Sequence, residues 1–497
     1  SGDLNVTQAN VIDGLTGGAI TATITTARVS ELVGGTPLLN ANNNNAYTIA
    51  ISSEDAAVSA SDLNTINDTT TVAVDLTNVT SLTSSSLVDL GTLSTAIGLN
   101  QFSNDSGITT IAVSDTTIDA TTLASTIDAY DSINGSGTTD MTLASGATIN
   151  VAASEVTHML LDETQNRLDI SDQNIVVTGD ISVDNANLLS ATTTGTVTAS
   201  ITTTESITEL KTLTGTSNAY TIVISSTDAT ATAEDLSEID GKTTVKIDAT
   251  EVTAISGTYD QITTLYDSAG VSNLGNEAID LSGDLNVTQA NVIDGLTGGV
   301  VTASIDPTET VDSLQTLTGN NAYAIVISSA DATGRTAAEF NAINALTTGT
   351  IDATVVTSFA HDSISNINTL LTAGNDPAQF TNTSFSQLSS VSVFNVTGYL
   401  ADNNDLANFF SAVNGYSTTA QQEAGALKHY DDFGAGEGRS DGSMDVSVLN
   451  SAIAAANTAT GTTAETLAAE TTANDALATA ITNDATASTE LAAATTA

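Results

Sequence analysis

Residues 1–18 read SGDLNVTQANVIDGLTGG, and residues 282–299 repeat them letter for letter. An identity of that length does not arise by chance, so the chain is built from internal repeats. A looser copy begins at Asp180, DISVDNANLLSATTTG. Each copy runs into a short β-branched segment: Ala19-Ile-Thr-Ala-Thr-Ile24, Thr196-Val-Thr-Ala-Ser-Ile201 and Val300-Val-Thr-Ala-Ser-Ile305. A second family follows at Tyr47, Tyr220 and Tyr323, and a third at Asp75, Asp248 and Asp352. The repeats cover about 1–105, 180–283 and 284–385, with an irregular section at 106–179.

Within the repeats the rhythm is finer. Strand candidates start near Thr196, Tyr220, Val245, Ile279, Val300, Tyr323 and Ile351, 21 to 34 residues apart. Each is a run of about five residues, the usual strand length. Helical signals lie between them. Thr232-Ala-Glu-Asp235 opens with a capping pattern, places Leu236 and Ile239 on one face and ends at Gly241. Ser59 to Asp62 with Leu63 and Ile66, and Thr336 to Glu339 with Phe340 and Ile343, repeat the pattern. Strands separated by helical crossovers pair in parallel. The expected fold is therefore a β-dominated repeat protein, a parallel β-solenoid with short helices between strands, in the manner of leucine-rich repeats. The alternative is a row of tandem β-sandwich domains.

Beyond 1–385, residues 386–445 read as a capping or interaction region, with Phe394, Tyr399, Phe409 and Phe410 gathered in one stretch. Residues 446–497 read as an Ala/Thr-rich helical tail, with Leu449, Ile453, Leu467, Leu477 and Ile481 at weakly amphipathic spacing.

Eight basic residues face 58 acidic ones, a net charge of −50. Phosphate binding needs clustered Lys or Arg, so nucleic acid is not an expected partner, and anionic membranes are disfavoured. Self-repulsion on this scale calls for salt or bound cations. The chain has no cysteine, a hint of an extracellular setting. No apolar run approaches the ~20 residues of a membrane span. Ser1 falls inside a repeat, which reads as a fragment or processed piece.

Catalytic signals are weak. His158, His361 and His429 stand in unrelated contexts, and no G-x-S-x-G elbow occurs. The pairs Gly17-Gly18 and Gly298-Gly299 read as turns before strands, not phosphate cradles. The chain is thus read as non-enzymatic. Calcium is the one candidate cofactor. Asp431, Asp432, Glu437, Asp441 and Asp445 lie within fifteen glycine-rich residues, and hard oxygen ligands on a bent loop suit Ca²⁺. Asp180, Asp184, Asp284 and Asp294 at the repeat edges are weaker candidates. Self-association is assigned to Asp3, Leu4, Val6, Val11 and Ile12. Residues 1–18 copy an internal segment, so they form a half-built unit that a neighbouring copy can complete.

The segments SGDLNVTQANVIDGLTGGVVTASI (282–305), YTIVISSTDATATAEDLSEIDGKTT (220–244) and IDATEVTAISGTYDQITTLYDSAGVSNLGNEAIDLSGD (247–284) carry a resemblance. Over roughly residues 1–380 they resemble the giant β-strand-repeat cell-surface proteins of marine unicellular cyanobacteria, of the swimming-motility or surface-layer type. The resemblance implies an extracellular, saline, calcium-rich setting and a structural, adhesive or motility-linked role. The expected function is an extracellular structural protein forming a cell-surface layer or filament, with self as partner. The alternative is an adhesin or fibre that binds cell-surface polysaccharide through the aromatic C-terminal section.

Overall fold

A computed structural model describes residues 3–430, except 34–38, 40–43, 136–138, 375, 382–389, 395, 408 and 411–418, together with residues 433 and 439. The chain divides into two compact units. One holds Ser1–Asp228, Asp235–Glu251 and Ala269–Asn273; the other holds Ala229–Glu234, Val252–Ser268 and Leu274–Ala497.

Helix caps recur along both units. Asn5, Thr258, Asn286 and Thr336 each accept the N–H three residues on, and the Gln or Glu at that position reaches back to the cap backbone. Ser59, Ser86 and Ser182 make the forward bond. These bonds satisfy amide groups that a short helix leaves open, each contributing about 1 kcal/mol. Behind the caps a narrow apolar stripe is buried: Ala60, Leu63 and Ile66 in one helix, Ala337, Phe340 and Ile343 in another. The strands bury alternate residues, as at Val197, Ala199 and Ile201. Each fully buried Ile or Leu contributes about 1.5–3 kcal/mol.

The first unit contains three five-stranded parallel sheets. One runs Asp3–Leu4, Thr21–Ala27, Ala46–Ile51, Val74–Asp75 and Phe102–Ser103, so its first strand is an edge. The other two are built from Ala57–Val58 to Leu168–Asp169 and from Thr117–Asp119 to Ala219–Thr221. The irregular section 106–179 thus carries the same alternation, including the long helix Ala120–Asn134. The second unit has a seven-stranded sheet from Thr230–Thr232 to Phe380–Thr381, with Ala278–Leu285 and Val301–Ile305 inside it.

The architecture corrects the expected β-dominated solenoid. The chain is an α/β fold of several separate parallel sheets with helices throughout. Helices reach 15 residues, whereas Asp3–Leu4, Val74–Asp75 and Ile247–Asp248 are two-residue strands. The reason is local: the strand runs ending at Asp75, Asp248 and Asp352 stop early at an Asp-x-Thr turn. Asp75, Asp248 and Asp352 each accept both the N–H and the hydroxyl of the Thr two residues on. These bonds hold the Asp75 and Asp248 carboxyls below their ordinary range, the Thr hydroxyl contributing most. The tandem sandwich fails too, because strand pairs are parallel throughout the described sheets and sandwiches are antiparallel.

Candidate interaction edge

Two repeated polar devices tie neighbouring strands together. The first is Asn-Ala-Tyr. Asn45, Asn218 and Asn321 are buried, and each side-chain oxygen accepts a strand N–H from Ile20, Val197 or Val301 at 2.8–2.9 Å. The amide NH₂ of Asn45 donates to Asp13 at 2.9 Å, and that of Asn321 donates to Asp294 at 2.7 Å and to the Tyr323 hydroxyl at 3.1 Å. Asp294, a weaker calcium candidate, therefore serves here as an acceptor for the Asn321 pin and for the Thr318 hydroxyl. Asn321→Ala strands the buried Val301 N–H and an Asp294 carboxylate oxygen, and takes one partner from the Tyr323 hydroxyl. A loss of about 3 kcal/mol is expected, read from the urea midpoint of the unit.

The tyrosines of the same triplets are fully buried. Burial raises the hydroxyls of Tyr47, Tyr220 and Tyr323, the last to about 12. A phenol whose folded value lies above its unfolded value of about 10 leaves stability intact below pH 10 and removes it as pH rises from there. Alkaline titration should therefore show tyrosinate absorbance from these residues appearing only with unfolding, between about pH 10 and 12. Smooth ionisation with the circular dichroism unchanged would refute their burial.

The second device is a threonine staple. The hydroxyls of Thr193, Thr297 and Thr347 donate to the carbonyls of Gln173, Glu277 and Tyr323 at 2.6–2.8 Å, and each accepts the N–H of a glycine two residues on at 2.9 Å. A Cβ on Gly299 would overlap the Glu277 carbonyl and lie 2.8 Å from the Ala278 nitrogen, so glycine is needed where the backbones pass. Thr70 and Thr243 make the same grip with a valine in the glycine position, so the hydroxyl is the constant part.

Residues 1–18 and 282–299 place one sequence in two surroundings. In the internal copy, Asp284–Leu285 ends the strand Ala278–Leu285, whose first half pairs with Ala254–Gly257 and which also pairs with Val301–Ile305. In the first copy, Asp3–Leu4 pairs with Thr23 and Ile24 in the same register and has that one neighbour among the described residues. The capping box is the same in both. Burial is not. Ile293 is 0% exposed but Ile12 is 38% exposed, and Leu15 is 81% exposed where Leu296 is half-buried. Thr297 is buried in its staple, whereas Thr16 is exposed; its oxygen accepts the Gly18 N–H at 3.1 Å with no strand carbonyl to grip among the described residues. Around Gly18 nothing but the Thr16 hydroxyl approaches a would-be Cβ.

Of the self-association residues, Asp3, Val11 and Ile12 are exposed, Leu4 is half-buried and Val6 is buried. The sequence reading missed Leu15 and Thr16, and it missed the Asn-Ala-Tyr triplet although all three copies spell it out. The calcium candidates Asp431, Asp432, Glu437, Asp441 and Asp445 lie outside the described residues, as does the tail 446–497. Among the described residues no group of three or more His, Asp or Glu is arranged to hold a metal. In the region 386–445, Tyr399, Leu406, Phe410 and Ala426 form a small core, and the Tyr399 hydroxyl lies 2.9 Å from His429 Nδ1. Phe409 and Phe433 stand exposed beside it. No described helix is long and apolar enough to cross a membrane. No family model and no curated protein matches the chain.

Proposed function

We propose that this chain is a non-enzymatic, extracellular structural protein that builds a cell-surface layer or filament by head-to-tail association through open strand edges, aided by calcium. The carrying observation is the repetition itself: parallel strands and capped helices recur along both units, and residues 1–18 return letter for letter at 282–299. Among the described residues the strand Ser390–Phe394 pairs with one neighbour, Ser358–Ser363. Unpaired strand edges are templates for another chain. The net charge of −50 supports the calcium requirement, since copies so acidic repel unless cations screen or bridge them. The resemblance to cyanobacterial surface proteins supports the extracellular setting.

Negative-stain electron microscopy with millimolar Ca²⁺ and then with chelator tests this proposal. Regular polymers that come apart in chelator are the expected result. Isolated particles under both conditions would remove it.

A second reading, a polysaccharide-binding adhesin, is favoured by exposed Phe409 and Phe433 beside a tyrosine-containing core. Planar sugars stack on such rings. A glycan array probed with the full chain and with a Phe409→Ala/Phe433→Ala variant separates the two: binding lost with both rings marks an adhesin.

A further inference from the structure

A short helix leaves its first N–H groups without partners of its own. Here they are satisfied from two places. The residue before the helix caps the third N–H: Ser86 that of Asp89, Ser182 that of Asn185, Ser206 that of Glu209, Asn286 that of Gln289 and Thr310 that of Ser313. The first N–H goes further afield. Leu87, Val183, Ile207, Val287 and Val311 donate theirs to the carboxylates of Asp115, Glu205, Asp228, Glu309 and Asp331 at 2.8–3.1 Å. Val29 does the same to Asp55, and Ala338, one residue further into its helix, to Asp362. In all of these the acid lies 20–28 residues after the donor, beyond the next strand of the chain.

The two ends of each bond are unequal. The N–H opens a helix, whereas Glu205 and Glu309 sit in turns just before the helices Ile207–Leu210 and Val311–Leu314. Water solvates a carboxylate in a turn well, but a helix that loses a charge-assisted cap frays at its start. Other links between neighbours run both ways. Asn187 donates to the Thr212 carbonyl and accepts the Thr214 N–H, and Asn291 does so with Thr316 and Thr318. We infer that these acids give the repeats a direction: each strand–helix repeat holds the helix start of the one before it. Loss of a repeat therefore loosens its N-terminal neighbour more than its C-terminal one, and unfolding within a unit runs toward the N-terminus. The device needs neither ligand nor second copy, so it stands whether or not the chain assembles.

Hydrogen exchange of the full chain, read by mass spectrometry, tests the direction at two neighbouring residues. Glu309→Ala should speed exchange in the helix Val287–Asp294 about tenfold, the loss of one hydrogen bond to a charged group, and leave the helix Val311–Leu314 at the parent's rate. Thr310→Ala should do the opposite, speeding exchange in Val311–Leu314 and sparing Val287–Asp294. Glu205→Ala and Ser206→Ala should repeat the split between Val183–Thr192 and Ile207–Leu210. Glu309→Gln keeps an oxygen without the charge; a rise of about threefold confined to Val287–Asp294 is expected, and it gives the reading should the alanine variant unfold as a whole. Variants at 309 and 310 that speed the same amides would show a turn acting locally and would overturn the direction. So would acid variants that leave Val287–Asp294 and Val183–Thr192 unchanged.

Discussion

Gly299→Ala should destabilise its unit by about 2–3 kcal/mol, while Gly18→Ala, the same substitution in the same eighteen-residue sequence, should be neutral or stabilising by up to about 1 kcal/mol. At Gly299 a methyl group has no room: the Glu277 carbonyl and the Ala278 nitrogen lie against it, and both are backbone that cannot rotate away. The Thr297 staple holds that carbonyl in place at 2.6 Å, so relief would break a strand contact. At Gly18 the same methyl meets the Thr16 hydroxyl at 3.5 Å, an ordinary contact, and lowers the entropy of the unfolded chain. Parallel strand arrays need not unfold in one step, so the comparison is best read by hydrogen exchange in each sheet. Equal effects at both positions would mean that the two copies do not differ in their surroundings.

Arg167→Met should cost about 3–5 kcal/mol, because it leaves two buried carboxylates facing each other without a cation. Arg167 is 11% exposed; it meets Asp131 at 2.8 Å and also pairs with Asp162, and both partners are nearly buried. The bond to Asp131 is the main reason its guanidinium is held above its ordinary range. Arg167→Lys should recover part of the loss, since a single ammonium cannot span both acids in the forked geometry. Arg28→Met, at the exposed pair with Glu54, should change stability by under about 1 kcal/mol. Thermal unfolding of the three variants beside the parent gives the ranking. A loss at Arg28 matching that at Arg167 would show that general charge balance, and not the buried cluster, sets the cost.

The pattern follows from scarcity. With eight basic residues against 58 acids, Arg167, Arg335 and Lys211 each serve several carboxylates. Arg335 spans Asp312, Asp331 and Glu339, and Lys211 spans Asp235 and Glu238. Among the described residues other acids accept backbone N–H groups, as Asp55 and Asp115 do, or side-chain amides, as Asp13 and Asp294 do.

Much of the local structure was legible. Thr336 with Glu339, and Phe340 with Ile343, announced a helix, and the helix Ala337–Asn344 carries the reciprocal cap. The runs at Thr196, Val300 and Tyr323 became the strands Val197–Ile201, Val301–Ile305 and Ala322–Val326. The class was misjudged because helices such as Ala120–Asn134 are rich in Thr, Ser and Asp, which propensity alone disfavours; burial of Leu123, Ile127 and Tyr130 decides them instead. The edge was half legible. Identity of residues 1–18 with 282–299 marked it, but Thr297 takes its role from the Glu277 carbonyl twenty residues earlier, while Thr16 in the first copy stands exposed. A Thr-Gly-Gly run reads as a turn until that carbonyl is seen.

Sedimentation velocity of the chain in millimolar Ca²⁺, repeated after chelator is added, tests the central claim most directly. Large species that revert in chelator to a single small, folded species are the predicted result. A single small species under both conditions, or large species that chelator leaves intact, would contradict calcium-aided assembly.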